Sequence, residues 1–122
     1  MKRLVSFFEI PAADFSRAVK FYETIFGIKM NALDCGHEKM AFFPEEDGLC
    51  PGAISWSKDF NPSDQGVLIS LTCDDVEQLL KRVAANGGTL YHPKTKIEAE
   101  GRGYFGSFID SEGNKVGLYS DK

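Results

Sequence analysis

The chain has 122 residues, of which 43% are hydrophobic and 26% are charged. This size and composition predict one globular domain and exclude a disordered, collagen-like or coiled-coil protein, and no run approaches the roughly 20 apolar residues of a membrane span. Fourteen Lys and Arg against eighteen Asp and Glu give a net charge of −4 without a basic block, so we expect no nucleic-acid partner.

The first half of the chain predicts a strand, a helix and three further strands. Residues 5–10 are rich in β-branched and aromatic side chains, which is typical of a strand. Asp14 is predicted to cap a helix whose apolar residues recur with helical period as far as Phe26, and Gly27 stands where a left-handed residue ends a helix. Three more strands are predicted over residues 28–34, 38–43 and 53–56.

The second half repeats this pattern. Residues 67–73 predict a strand, Asp75 a helix N-cap and Gly88 the end of that helix. The same spacing separates Asp14 from Gly27 and Asp75 from Gly88, which indicates two copies of one unit. The remaining strands are predicted over residues 89–97, 104–110 and 116–120.

Each half is therefore a βαβββ module. Module one covers about residues 1–57, a polar linker about 57–66, and module two about 66–122. Neither module can bury a helix stripe and a sheet face alone. We expect one α+β domain whose modules combine into a cup-shaped, partly open mixed sheet with the helices outside.

The period of two along the opening strands sorts their side chains by face. Phe8 and Ile10 are expected to face the helices. Phe7, Glu9 and Leu68, with Ser70 and Thr72, are expected to face the cup. A carboxylate and two hydroxyl groups make that surface too polar for a packed core, so it is interpreted as a lined pocket.

Two groups of short motifs, one in each half, carry a family resemblance. They are Phe8-Glu-Ile-Pro11, Asp14, Arg17-Ala18, Phe21-Tyr22 and Phe26-Gly27, then Cys73-Asp-Asp-Val76, Gly87-Gly88, Pro93-Lys94, Gly101-Arg-Gly-Tyr104, Asp110-Ser-Glu-Gly-Asn114 and Gly117-Leu118. Over nearly the whole chain their order resembles the vicinal oxygen chelate superfamily, which includes glyoxalase I, bleomycin and fosfomycin resistance proteins and extradiol dioxygenases. The resemblance implies paired βαβββ modules, usually in a homodimer.

The resemblance also implies that enzymatic members hold a metal ion by four side chains, typically His, Gln or Glu, from the first and last strand of each module. In this chain the corresponding positions are Phe7, Ser55, Leu68 and Gly117. None of them is a strong ligand for a divalent metal, and their neighbours do not replace them. We therefore predict no metal and no other cofactor.

Other residues are candidates for chemistry. Glu9 is a candidate general base, because burial in a cup favours proton uptake by a carboxylate; alternatively, Arg102 or a lysine neutralises it in a structural pair. Tyr104 is placed at the mouth of the cup with Arg102 as an anion clamp, although this glycine-rich stretch is equally typical of a mobile loop. Neither His37 nor His92 is expected to act beyond a surface or loop role.

These observations favour a cytoplasmic, homodimeric binding protein for an apolar or aromatic small molecule, with no membrane partner. The expected ligand-contacting residues are Phe7, Ser55, Trp56, Leu68, Ser70, Thr72, Arg102, Tyr104 and Gly117. The alternative is a glyoxalase-like lyase or isomerase that uses Glu9 as a base or an unrecognised metal site. A third reading is a structural dimer whose cup is filled by its own aromatic side chains.

Overall fold

The computed structural model describes residues 3–99 and 101–122. Within these residues each half of the chain forms a strand, a helix and three strands, as predicted. Module one contains β1 (Phe8–Pro11), α1 (Phe15–Phe26), β2 (Asn31–Asp34), β3 (Glu38–Phe42) and β4 (Gly52–Ser57). Module two contains β5 (Ser70–Thr72), α2 (Val76–Ala85), β6 (Thr89–Lys96), β7 (Tyr104–Ile109) and β8 (Lys115–Ser120).

The strands form two four-stranded mixed sheets, which confirms the predicted α+β class and the paired modules. Sheet one has the order β1-β4-β3-β2 and sheet two the order β5-β8-β7-β6. In each sheet the first strand pairs in parallel with the last, and the other pairs are antiparallel. The expected single curved sheet does not form within one chain, because β1 and β5 are each an edge strand of a separate sheet.

Both helices begin at the predicted aspartates. The carboxylate of Asp14 accepts a hydrogen bond from the backbone N–H of Arg17 at 3.1 Å, and that of Asp75 accepts one from Glu77 at 2.9 Å. Helix α1 ends at Gly27, whose φ of 62° is the left-handed conformation that glycine adopts without steric cost. Helix α2 ends at Asn86, slightly earlier than the predicted Gly88.

Helix α1 packs against β4 of sheet one and against α2, and its aromatic side chains also contact sheet two. The ring of Tyr22 is 5.9 Å from that of Phe43, which follows β3, and 6.4 Å from that of Phe108 in β7. Tyr22 and Phe108 are fully buried and belong to one core that draws on both modules. Each such aromatic side chain contributes about 1.5–3 kcal/mol by its burial. The shared core therefore covers one face of each sheet and leaves the opposite face of each outside it.

The turn between β7 and β8 fastens module two to α1. The carboxylate of Asp110 accepts hydrogen bonds from the backbone N–H groups of Glu112 and Asn114. Its second oxygen accepts the hydroxyl of Tyr22 at 2.7 Å. Burial and the neighbouring Asp110 carboxylate raise the pKa of the Tyr22 phenol well above its ordinary value, so this hydroxyl stays a donor.

Glu112 completes the attachment. Its carboxylate accepts the backbone N–H groups of Ala13 and Asp14 at 2.9 and 2.7 Å and forms an ion pair with Arg17 at 2.7 Å. Burial opposes ionisation of Glu112, but the hydrogen bonds from Arg17, Asp14 and Ser111 outweigh it and lower the pKa of the carboxyl. A charged Glu112 thus holds the start of α1 against module two.

Neither of the two helices in the described residues is long and apolar enough to cross a lipid bilayer.

Candidate functional site

We call the face of each sheet that points away from the helices its inner face. On sheet one this face carries Phe7 and Glu9 with Phe42 and Ser55. The Phe7 and Phe42 rings lie 6.2 Å apart, and the hydroxyl of Ser55 donates a hydrogen bond to Glu9 Oε1 at 2.8 Å. Two of the predicted ligand-contacting residues, Phe7 and Ser55, and the predicted base Glu9 are therefore neighbours.

The inner face of sheet two carries the hydroxyl groups that the sequence predicted. Ser70 is paired with Gly117 and Thr72 with Tyr119 across the β5–β8 register. A methyl group built on Gly117 would meet the Ser70 hydroxyl oxygen, so the glycine leaves room for this serine hydroxyl in its present position. Leu68, just before β5, is half-exposed beside these residues.

Sheet two also carries a polar and aromatic group that was not predicted from the sequence. His92 and Phe105 stack with ring centroids 5.0 Å apart, and a ring nitrogen of His92 lies 3.1 Å from the Thr95 hydroxyl. The Lys115 ammonium lies 3.9 Å from the Tyr91 ring centroid. Register shifts between Leu90 and Thr95 break the period of two in β6, so alternation along this strand does not indicate which face His92 occupies.

Three predicted residues lie away from the inner faces. Trp56 follows Ser55 along β4 and therefore points to the opposite face, where the Lys39 ammonium is 5.3 Å from its ring centroid. Tyr104 is paired with the buried Ser120 on the helix side of sheet two, and its ring lies 4.6 Å from Lys94. Arg102 is exposed in the turn before β7. The hydrogen-bond partner of Glu9 is Ser55, not Arg102.

Glu9 has an oxygen available for a ligand. Its Oε1 accepts the Ser55 hydroxyl, and the hydrogen bonds of the described residues leave Oε2 without a donor. Glu9 is exposed in the single chain, whereas Ser55 is only 2% exposed. A carboxylate held at one oxygen by a buried hydroxyl is a fixed acceptor that can receive an O–H or N–H group of a bound molecule.

The four positions at which the resemblance places metal ligands carry none of the usual ligand side chains. Phe7 and Leu68 are apolar, Gly117 has no side chain, and the Ser55 hydroxyl is engaged with Glu9. Across residues 3–99 and 101–122, the structure brings together no group of three or more His, Cys, Asp or Glu side chains that could hold a metal ion. This donor set does not suit a divalent cation.

The two inner faces do not meet within one chain. No hydrogen bond or ring contact of the described residues joins Phe7, Glu9 or Ser55 to Ser70, Thr72 or Gly117. Phe7 is 37% exposed, Leu68 53% and Phe105 38%. Large apolar side chains on both inner faces are thus open to solvent.

Comparisons with known proteins identify the fold and the family. Residues 4–118 match the sequence profile of the Glyoxalase/Bleomycin resistance protein/Dioxygenase superfamily. A glyoxylase-like domain-containing protein of Didymella fabae is 33% identical over 87 residues, which are 69% of this chain and 68% of that protein.

Two solved structures are similar in fold. A glyoxylase/bleomycin resistance protein/dioxygenase domain of Frankia sp. EAN1pec superposes with a TM-score of 0.74 at 15% identity and covers 100% of both chains. Glyoxalase I of Zea mays superposes with a TM-score of 0.73 at 19% identity, covering 95% of this chain and 45% of the maize chain. The chain thus spans less than half of the maize enzyme.

Proposed function

Because this chain belongs to the Glyoxalase/Bleomycin resistance protein/Dioxygenase superfamily, we propose that it binds a small organic molecule on its inner faces without a metal ion at that family's ligand positions. The observation that carries the proposal is the set Phe7, Ser55, Leu68 and Gly117 at these positions. These positions supply aromatic, aliphatic and hydroxyl groups where a metal enzyme needs imidazole and carboxylate ligands.

The binding site is completed by a second copy of the chain. One inner face alone offers an open, shallow surface, and the exposed Phe7, Leu68 and Phe105 side chains have no cover within the chain. Packing inner face one of each copy against inner face two of the other makes a two-fold symmetric dimer that covers these side chains. The ligand then lies between Glu9 of one copy and Ser70 of the other.

The chemistry of the site favours a flat, largely apolar ligand with a hydrogen-bond donor. The Phe7 and Phe42 rings provide an aromatic wall. Glu9 Oε2 accepts a hydroxyl or amine hydrogen of the ligand, and Ser70 and Thr72 supply adaptable hydroxyl groups. Binding of this kind needs no bond to be made or broken, so a sequestering protein is the function that these groups support best.

Native mass spectrometry of the freshly purified protein tests the proposal. We expect a dimer carrying a non-covalent small molecule and no stoichiometric metal. Glu9→Gln should retain less of that molecule, whereas Glu77→Gln, which removes a carboxylate on the exposed surface of α2, should retain as much as the wild type. The proposal is contradicted if the protein carries no small molecule after incubation with cell extract. It is also contradicted if the two variants retain equal amounts of the small molecule.

A glyoxalase-like lyase or isomerase is the second candidate, because Glu9 presents an unoccupied carboxylate oxygen on an inner face and a 33% identical relative is named glyoxylase-like. Glu9 would act as the base that removes a proton next to a carbonyl group. Turnover of the thiol adduct of methylglyoxal, measured after dialysis against Ni²⁺ or Zn²⁺, tests this candidate. Turnover that Glu9→Gln abolishes supports it, and no turnover with either metal rejects it.

A further inference from the structure

A cavity lies between the two modules and reaches Ser70 and Thr72 at the edge of sheet two. It has a volume of about 570 Å³, which lies within the range of pockets that hold small organic molecules, about 300–1,000 Å³. One wall comes from module one and the other from module two. Its apolar lining is formed by Phe8, Phe26, Ile28, Phe43, Leu71 and Leu79.

This cavity, which we call the intermodule cleft, is the place where the shared core is incompletely covered. Five of the apolar residues that pack against the core but remain partly exposed line it: Phe8, Phe26, Ile28, Leu71 and Cys73. Burial also raises the pKa of the Cys73 thiol, which keeps that side chain neutral and apolar. An apolar ligand body placed here would complete the cover of the core.

The rim of the intermodule cleft is acidic. Glu45 and Glu46 lie on the module-one side and Asp74 on the module-two side. In the part of the chain that the structure describes, none of these three carboxylates forms an ion pair. Arg82 is the one cation of the lining, and its guanidinium already donates a hydrogen bond to the carbonyl oxygen of Ile25 at 3.1 Å.

A further carboxylate of the lining is already neutralised. Asp75 caps α2 and forms an ion pair with Lys94 at 3.1 Å. The hydrogen bond from Lys94 outweighs burial and, with the helix N–H groups, lowers the pKa of Asp75. Asp75 therefore has its own cation, and the charge left for a ligand is that of Glu45, Glu46 and Asp74.

The open edge of β5 adds backbone hydrogen-bonding groups to the cleft. The carbonyl of Ile69 and the N–H of Cys73 bond to β8. Because alternate residues of a strand direct their backbone groups to opposite edges, those of Ser70 and Thr72 point away from β8. Both residues line the cavity, so their carbonyl oxygens are acceptors for an ammonium hydrogen.

We infer that the intermodule cleft binds an amphiphilic organic cation, with its alkyl or aryl body against the partly exposed core and its ammonium group at the acidic rim. The same cavity has an apolar lining and a rim of unpaired carboxylates, and it is bordered by carbonyl oxygens of the edge strand β5. The cleft shares Ser70 and Thr72 with inner face two but no residue with inner face one, so variants of Glu9 and of the rim carboxylates report on the two sites separately.

Three matched probes test the inference by ¹⁵N chemical-shift titration of the purified protein. 4-Phenylbutylamine carries the cation, 4-phenylbutanol is its neutral analogue and 4-phenylbutyrate its anionic one. We expect the amine to shift the amide signals of Leu71, Asp74 and Leu79 saturably in the millimolar range. The alcohol should bind more weakly at the same signals, and the acid least of all.

Charge-neutral variants separate the cleft from general electrostatics. Glu46→Gln combined with Asp74→Asn should weaken amine binding by about threefold to tenfold and leave alcohol binding unchanged, as expected for two exposed carboxylates. The control, Glu77→Gln combined with Glu98→Gln, removes the same charge outside the cleft and should leave amine binding nearly unchanged.

Three results would overturn the inference. They are shifts confined to inner-face residues, equal affinities for the three probes, and equal weakening by the rim and control variants. None of them bears on whether Glu9 holds a ligand at the inner faces, because that is read from retention in Glu9→Gln. Failure of one site is therefore distinguishable from failure of the other.

Discussion

The hydrogen bond between Tyr22 and Asp110 is expected to be a major tie between the modules. Tyr22→Phe removes one oxygen atom and keeps the ring that contacts Phe43 and Phe108. The lost bond is short, 2.7 Å, and joins a fully buried hydroxyl to a carboxylate that is 4% exposed. Water cannot readily replace the missing donor, so the variant should lose stability without losing its fold.

The magnitude follows from the partners that remain. A hydrogen bond to a charged group contributes about 1.5–3 kcal/mol. Asp110 Oδ2 still accepts Asn114 Nδ2 at 3.0 Å in the variant, so we expect the lower part of that range, about 1.5–2 kcal/mol. A chain of this length has an unfolding entropy of about 0.26 kcal/mol/K, which converts the loss into a decrease in Tm of about 6–8 °C.

Thermal unfolding followed by circular dichroism at constant protein concentration measures this decrease. Tyr119→Phe is the matched control, because it removes the same atom from a hydroxyl that bonds to the exposed Asp121. The control should change Tm by less than about 2 °C. If the Tm of Tyr22→Phe also stays within 2 °C of the wild type, or if both variants lose stability equally, the hydrogen bond between Tyr22 and Asp110 is not a major tie between the modules.

Three other predictions address the turn, the dimer and the inner face. Glu112→Gln should lower Tm at pH 7. The difference in Tm from the wild type should shrink as the pH falls below about 4.5, the ordinary pKa of a glutamate, because a carboxyl with a lowered pKa stabilises the fold only while it is ionised. Melting curves at pH 7 and pH 3 measure this difference. Leu68→Asp should dissociate the proposed dimer in sedimentation experiments, whereas Val67→Asp, at an adjacent residue that is 89% exposed, should not. Gly117→Ala should displace the exposed Ser70 hydroxyl and cost no more than about 0.5–1 kcal/mol, and Ser70→Ala should remove that cost in chemical denaturation.

The repeated fold was predictable because its signals are local. An N-cap aspartate, an apolar stripe and a glycine bound α1, and the structure confirms that helix. Strand ends were less predictable. Residues 28–34 were predicted as one strand, yet β2 begins at Asn31, because the N–H of Met30 donates to the Glu23 carboxylate and not to a neighbouring strand. A side chain seven residues earlier is not part of any strand pattern.

The inner faces were predictable only as far as alternation holds. It placed Phe7, Glu9, Ser70 and Thr72 on one face of their strands, where the structure has them. Trp56 was predicted to contact the ligand together with Ser55, but consecutive residues of β4 point to opposite faces, so the two cannot share one face.

Contacts between distant parts of the chain leave no comparable trace in the sequence. The ion pair of Arg17 with Glu112 joins residues 95 positions apart, and nothing in the sequence pairs the two. The same holds for the packing of Tyr22 against both Phe43 and Phe108, which come together only in three dimensions.

The division of each sheet into a buried face and an open face links ligand binding to association. The shared core already covers the helix-facing side of each sheet. No described residue covers Phe7 and Leu68 on the opposite side, so a second molecule has to cover them. If a second copy covers them, the copy that closes over Glu9 also removes water from the Glu9–Ser55 pair and strengthens each hydrogen bond made there. A ligand held between the copies then binds the dimer more tightly than the monomer, and by reciprocity it must stabilise the dimer by the same factor.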